Sequence, residues 1–581
     1  MGFQLSPGVK VAEIDLSAII PAVATTPAGM VGQFAWGPVE QRIIVSSENE
    51  IYQLFGGPDA NTFTYFFTGA NFLQYGNNLQ IVRGTSGGLN AIAGNTGSMA
   101  GALIKNRDDY DTKVVNESYT TSNAYFAAKY PGILGSSLRI DVADGITGFN
   151  SWGLSGYFSA SPGTSQFVSD AGGVNDEIHI AVIDEDGAFS GATGTVLEIY
   201  EGLSKATNAR KSDGTSNYFR NVLNDDSKYV YALNNIQGIV PTTAVLGTSG
   251  YGTISGTASA AGQGGTAGLY RASFAGGTFG GTMTDAAIAA LYTTYYGDAD
   301  NVDVSFLLGG PAIGSAAGTI ANVAKSRKDC VAFFSAPNYN PSSGTVDTTA
   351  LAAATALRNN IGNNNYAFID SSWKLQYDRY NDVNRWVPLN GDIAGLCART
   401  DESNDPWWSP AGLNRGNIKN VIKLGWNPNA TYRDTIYPQG INPVVTFPGE
   451  GTVLYGDRTA QTKPSAFDRI NVRRLFIVLE KAIAKASKYQ LFEFNDAFTR
   501  SMFVSMVEPF LRDVQARRGI YDFKVICDET NNTPEVIDGN RFVADIYIKP
   551  NRSINFIQLN FYATRTGVNF EEIATLSRPG N

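Results

Sequence analysis

A chain of 581 residues exceeds what one hydrophobic core usually organises, and it predicts roughly three or four domains. Its 44 basic and 53 acidic residues leave a net charge of -9, which excludes the electrostatic footprint of a general nucleic-acid binder. Cys330, Cys397 and Cys527 are far apart and form no C-x-x-C pair, so neither a disulfide framework nor a zinc site is expected, and synthesis in a reducing cytosol is the simplest reading.

The N-terminus MGFQLSPGVKVAEID carries acid where a signal peptide carries base, and no run of about eighteen apolar residues follows, so no membrane insertion is expected. Gly2 with Ser6 meets the short myristoylation pattern, which is frequent by chance. Residues 1–22 read as an extended arm: Pro7 and Gly8 lead into VKVAEID and then into the Pro- and Ala-rich AIIPAVATTPAG before any helical pattern begins. From Ile43 a strand-helix alternation starts, with IIV, a helix opened by the capping box Ser47 to Glu50 and ended at Gly56, the apolar FTYFFTGANFLQYG, and the strand LQIVR.

Residues 96–284 change character. Short strand-like runs alternate with Gly, Ser, Asn and Asp and close in GTSGYGTISGTASAAGQGGTAG, which predicts one or two inserted β-rich domains with a glycine-rich return. AYFAAKYPGILGSSLRIDVAD and DEIHIAVIDEDG are too apolar for a disordered insertion. EIHIAVID, apolar on both strand faces, carries His179, the only histidine, which is expected as a packed imidazole and not a general base. The acid pairs Asp108 with Asp109 and Asp225 with Asp226 fall in polar, turn-like sequence and are expected as solvated loops.

The α/β pattern resumes after Asp285 with the helix DAAIAALYTTYYG, the strand VDVSFLL, a helix near Ala312 to Lys328 and the strand CVAFFSAP. Gly309 and Gly314 have phosphate-loop spacing, yet Ser315 stands where lysine is required, so a tight strand-to-helix turn is expected. FPGEGTVLYGDRT likewise fails the dinucleotide fingerprint, because its third glycine falls two residues late. In the last part Val472, Phe476, Leu479, Ile483 and Ala486 form one apolar stripe on a helix from about Ile470 to Lys488. A second helical region starts at Asp496, broken or restarted at Pro509 and stopped near Gly519. The strands DFKVICDE and RFVADIYIK follow, and SINFIQLNFYATRTG alternates as a half-buried terminal strand. The expected organisation is multidomain, α/β plus β-rich insertions. It comprises an arm (1–22), an α/β core (23–95 and 285–435), the insert (96–284) and an α+β C-terminal domain (436–581).

A long collinear constellation carries a family resemblance: GEGTVLYGDRT, INVRRLFIVLEKAI, FEFNDAFTRSMF and YDFKVICDETNNTPEVIDGNRFVADIYIKPNRSINFIQLNF, preceded by NGDIAGLCARTDESNDPWWSPAG. With SPGVKVAEID and TTPAGMVGQFAWGP at the start and AAKYPGILGSSLRI in the insert, the chain resembles the contractile tail sheath protein of myovirus bacteriophages, the T4-like type. The resemblance implies a core of subtilisin-like shape. Catalysis there would need a histidine and His179 lies in the insert, so the likeness is to a fold and not to a protease, and no enzyme activity, cofactor or metal is expected.

It also implies subunits joined in hexameric rings stacked as a helical tube around an inner tail tube, with baseplate and tail terminator proteins as further partners. No direct contact with nucleic acid or membrane is implied. Such a protein resides in the virion after assembly in the host cytoplasm, and its terminal strands join neighbouring sheets: Val9, Val11 and Ile14 in the arm, and Ile557, Leu559 and Phe561 at the other end. Arg469 to Arg518 hold ten basic and five acidic residues. One reading makes Arg473, Arg474, Lys481, Lys485 and Lys488 a tail-tube contact; the other makes them solvated helix faces and lattice salt bridges. A sheath from a phage-derived injection device is a near neighbour of this reading. A hydrolase and a β-rich surface adhesin are the rival classes, the first opposed by the single histidine, the second by the lack of repeats and disulfides.

Overall fold

Strands that are apolar on both faces are stable only where both faces are covered, and the central sheet follows that rule. The computed structural model describes residues 26–94, 101–116, 124–233, 268–312, 314–337 and 346–555. Its seven-stranded sheet runs, edge to edge, Ile441–Asn442, Ala367–Asp370, Val331–Ser335, Phe306–Leu308, Ala28–Gly32, Leu79–Arg83 and Arg42–Val45. All neighbours are parallel except Arg42–Val45, which closes the edge antiparallel to Leu79–Arg83. The two sequence halves meet in its middle, where Ala28 lies opposite Phe306. The strand Ile441–Asn442 belongs to this sheet, so the core reaches past the expected limit at residue 435.

The helix Asp285–Tyr296, first after the insert, stitches the halves together. The buried Tyr292 hydroxyl donates to the Leu308 carbonyl and accepts from the Val31 N–H at 3.1 Å, while the Tyr296 hydroxyl donates to the Gln80 carbonyl at 2.7 Å. Only glycine serves at position 29, because the Tyr296 ring comes within 2.5 Å of where a Cβ would stand. The helix Glu48–Phe55 is capped by Ser47, whose side chain accepts from the Glu50 N–H. The return bond of the expected capping box lands one residue earlier, on the N–H and hydroxyl of Ser46. The helix Ser315–Arg327 starts at Gly314, and the Asp285 carboxylate sits at its N-terminus, accepting from the Ser315 hydroxyl and the Ala316 N–H. A carboxylate thus occupies the place a phosphate would take. FPGEGTVLYGDRT supplies the turn and the second strand of the hairpin Val444–Phe447 with Gly451–Leu454, with Gly449 and Gly451 at φ 83°. Both glycine loops are structural.

The insert contains a four-stranded antiparallel sheet, ordered Leu269–Ser273, Leu138–Asp144, Glu177–Asp184, Thr195–Ser204, and two strands, Ala124–Ala128 and Val230–Ala232, of a three-stranded one whose third, Ile92–Gly94, lies just before the expected start at residue 96. The glycine-rich return lies outside the described residues. Arg83 couples insert to core: fully buried, it donates to the carbonyls of Phe34, Gly37 and Pro131 at 2.9, 2.6 and 2.6 Å. His179 is buried and stacked on Phe158, its Nε2 bonded to the Ala160 carbonyl and its Nδ1 accepting from the Gly202 N–H. Both ring nitrogens serve packing. Asp109 and Asp225 do not lie in open loops: they belong to the short helices Arg107–Tyr110 and Phe219–Asp226, paired with Lys113 and Arg107.

Asp370, at the end of its strand, is fully buried and accepts from the Ser335 hydroxyl at 2.8 Å and the Ser372 N–H at 3.2 Å. Among the described residues no basic side chain pairs with it, and burial pushes its carboxyl well above the ordinary 3.8. The folded chain therefore holds this proton more tightly than the unfolded one, so the stability it contributes is complete below about pH 3.8 and is lost as pH rises through the folded pKa. Asp370→Asn is expected to unfold at a higher temperature than the parent at pH 8 but not at pH 4, read by thermal denaturation at both. An equal shift at the two pH values would refute a protonated Asp370.

Candidate assembly surface

The C-terminal unit is built from two amphipathic helices and one small sheet. Ile470–Ser487 buries Val472, Leu479 and Ala486 of the expected stripe, while Leu475 and Ala482 are buried where Phe476 and Ile483 are only partly covered. Ala497–Ala516 starts at the cap Asp496, whose side chain accepts from the Thr499 N–H, and runs unbroken through Pro509. Proline removes one donor from the ladder, yet Phe503, Val507, Leu511 and Val514 on both sides of it pack into one cluster, and that burial outweighs the lost bond. The strands Ile520–Ile526 and Asp545–Pro550 pair antiparallel, with Phe523, Val525, Ile546 and Ile548 turned to the helices and Tyr521, Lys524, Tyr547 and Lys549 to solvent.

That sheet has only two strands among the described residues, so each strand has an outer edge without a partner. Two strands alone are marginal in water, and open edges are where another chain adds a strand. The strand residues expected to be donated, Val9, Val11, Ile14, Ile557, Leu559 and Phe561, lie outside the described residues.

The five basic candidates for a tube contact separate into two groups. Arg473 and Arg474 are buried, which corrects their expected place on a surface. Arg473 lies over the rings of Tyr366 and Phe467 at 4.5 and 4.6 Å and pairs with Glu480. Arg474 pairs with the equally buried Asp401 at 2.5 Å and lies over Phe306. Lys481 is partly covered and paired with Asp303. Lys485 and Lys488 are exposed. The reason is geometric: the first half of the helix lies against the core, where Ile470 and Ile477 join its cluster, and the second half runs off it. Beyond Lys488 the connection to the next helix turns out Tyr489, Leu491, Phe492 and Phe494, and the first turn of that helix Phe498, each more than 60% exposed.

The joint between core and C-terminal unit was not legible as such in the sequence. The helix Asn390–Ser403 carries Asp401 to Arg474, and Trp407 follows, buried in the C-terminal cluster with its Nε1 donating to the Arg517 carbonyl at 3.1 Å. Arg517 lies over the Trp407 ring and pairs with Asp405. In NGDIAGLCARTDESNDPWWSPAG the signal was the two adjacent tryptophans after an acidic helix end.

Burial pushes the Cys330 and Cys397 thiols up to about 12, too high for a thiolate nucleophile at neutral pH. Among the described residues no group of His, Cys, Asp or Glu could hold a metal ion, and no helix is long and apolar enough to cross a membrane.

Residues 306–460 match the phage tail sheath protein central domain and residues 462–564 the phage tail sheath C-terminal domain. Over 99% of its length the chain is 34% identical to the tail sheath protein of Enterobacteria phage T4, also covered to 99%. It is 36% identical to that of Vibrio phage KVP40 over 98% of this chain and 99% of the relative. In fold it is similar to the crystal structure of the sheath tail protein from Listeria innocua, with a TM-score of 0.51 at 11% identity, over 91% of this chain and 96% of that one. The chain belongs to the phage tail sheath protein family, whose members are structural components of contractile bacteriophage tails.

Proposed function

We propose that this chain is the subunit of a helical sheath: hexameric rings stack around an inner tail tube, between a baseplate and a terminator, after assembly in the host cytoplasm. Contraction is a rigid-body rearrangement from a metastable extended lattice to a better-packed one, and it drives the tube through the host envelope without nucleotide hydrolysis. The observation that supports this reading is the two-stranded C-terminal sheet, neither of whose outer edges is paired among the described residues, in a chain with strand-forming sequence at Val9–Ile14 and Ile557–Phe561. The arm residues Val9, Val11 and Ile14 are the foremost donors to a neighbour's sheet, and Ile557, Leu559 and Phe561 the second. Bodies linked in this way rotate and slide while the links persist. The division into an arm (1–22), a subtilisin-like core, an outer insert and a C-terminal assembly unit fits this use, with the core carried past residue 435.

The test is negative-stain electron microscopy of the purified chain as its concentration is raised. Hollow, striated tubes are expected. A uniform small oligomer at every concentration would overturn the proposal.

Of the basic candidates, Lys485 and Lys488 remain for the face turned to an acidic inner tube, joined by the exposed apolar turn from Tyr489 to Phe498. The double variant Lys485→Glu/Lys488→Glu is expected to form sheath tubes but to lose co-sedimentation with inner tubes at about 0.05 M salt. The parent should lose it only near about 0.5 M, where screening is nearly complete. Unchanged attachment of the variant would remove these lysines from the contact.

A further inference from the structure

After the strand Asp545–Pro550 the chain passes from the C-terminal unit to the core through Asn551, Arg552, Ser553, Ile554 and Asn555, and alternate residues are tied down. Asn551 is held within the C-terminal unit, its N–H donating to the Gly519 carbonyl at 3.2 Å and its Nδ2 to the Arg518 carbonyl at 2.8 Å. Ser553 and Asn555 bond beyond that unit. The Ser553 hydroxyl donates to Asp457 Oδ2 at 2.7 Å, while Asn555 Nδ2 reaches Asp457 Oδ1 and the Tyr437 hydroxyl, both at 3.0 Å. Arg552 and Ile554, between these tethers, are exposed.

The receiving groups are fixed from the other side. Leu454 and Ala460 flank Asp457, Ile436 and Ile441 flank Tyr437, and all four are in the core cluster. Asp457 is only 2% exposed. Its carboxylate also accepts from the Ser409 and Tyr437 hydroxyls, each at 3.1 Å, and pairs with Arg469 at 3.5 Å. Its carbonyl accepts from the N–H of Ile470, the first residue of the helix Ile470–Ser487, at 2.8 Å. A carboxylate held from so many directions is a rigid post, and bonds made to it are charge-assisted. Two attachments two residues apart, about 7 Å in an extended chain, fix a heading as well as a position, where a single one leaves a pivot.

We propose that residues 551–555 are a strap across the joint between the two units, with Asp457 as its post, and that Ser553 and Asn555 are positioning residues that set the heading of the C-terminal extension as it leaves the subunit. This role rests on the sheath reading, in which Ile557, Leu559 and Phe561 begin two residues further on and pair with a neighbour. A pull arriving along that strand reaches the core through Asp457 and Tyr437 and the C-terminal unit through Asn551, so the two units move as one body. Without the strap the pull would fall on the C-terminal unit alone and turn it about the joint at Trp407 and Arg474.

The test uses the full-length chain with Ser553→Ala/Asn555→Ala, which removes the donors of the strap and leaves both units and the terminal strand sequences unchanged. At a dilution below assembly, trypsin is expected to cut after the exposed Arg552 about tenfold faster in the variant than in the parent, because cleavage requires the segment around the bond to detach. Mass spectrometry reads the cut from the new N-terminus at residue 553. Ser553→Thr keeps a hydroxyl and should be cut at the parent's rate. Under assembling conditions the double variant is expected to form tubes with blurred striations where the parent's are sharp, since hinged units no longer share one orientation. Equal cleavage rates in parent and double variant would overturn the proposal, and so would variant tubes as sharply striated as the parent's. Cleavage is read on the dilute chain and needs no tubes, so the strap and the sheath reading fail independently.

Discussion

Deletion of Met1 to Ala22 is expected to leave a folded monomer that forms no tubes at concentrations where the full chain polymerises. The open-edged sheet of Ile520–Ile526 and Asp545–Pro550 keeps its own packing on the helices without the arm, so the deletion leaves the fold intact. What it removes is the added strand. A link of about five residues supplies a few net hydrogen bonds at about 1 kcal/mol each and two aliphatic side chains, Val9 and Val11, at about 1.5 to 3 kcal/mol each. Ordering the strand offsets part of this, so one link is modest. Every subunit repeats it, however, and the lattice fails as a whole. Sedimentation velocity should give a single slow species and electron microscopy an empty field. Normal tubes from the shortened chain would show that the lattice is held by the bodies and not by the arm.

The second large effect is at the joint. Arg474→Met is expected to cost about 3 to 5 kcal/mol, because it strands Asp401 in a site where only 3% of the carboxylate side chain is exposed. Asp401→Leu placed in the same chain should recover most of that loss, since an apolar pair of similar volume removes both desolvation penalties. Urea denaturation followed by tryptophan emission reads this directly, because Trp407 lies in the cluster that the joint supports. In a chain of several units the C-terminal transition should separate from that of the core in the single variant and rejoin it in the double. A single-variant cost under about 1 kcal/mol would mean that the buried pair contributes little and that packing around Trp407 holds the joint.

The family and most of the elements were open to reading from the residues, for two different reasons. Periodic burial leaves a periodic pattern, so the stripe from Val472 to Ala486, the strand EIHIAVID and the helix DAAIAALYTTYYG stand where their hydrophobic spacing places them. Long collinear motifs such as INVRRLFIVLEKAI and FEFNDAFTRSMF identified the sheath family before any coordinates. Local chemistry also marked both glycine loops as turns: a missing lysine at Ser315 and a late third glycine at Gly456 are faults that no tertiary context repairs.

What the linear chain could not state is how far each element runs alongside its neighbours. Arg473 and Lys485 are alike as residues on one helix, yet the first is caged by Tyr366 and Phe467 and the second stands in water, because the helix leaves the core partway along its length. Pro509 carries a local preference to end a helix, and packing on both sides of it overrides that preference. The expected limit at residue 435 falls short of the strand Ile441–Asn442, which is claimed by a sheet whose next member, Ala367–Asp370, is distant in sequence. The sequence by itself determined the class of protein and the periodic elements, since these depend on residue type and spacing. Only the tertiary structure decided which charges are buried, where the core stops and which edges stay open, because those depend on contacts between residues far apart in the chain.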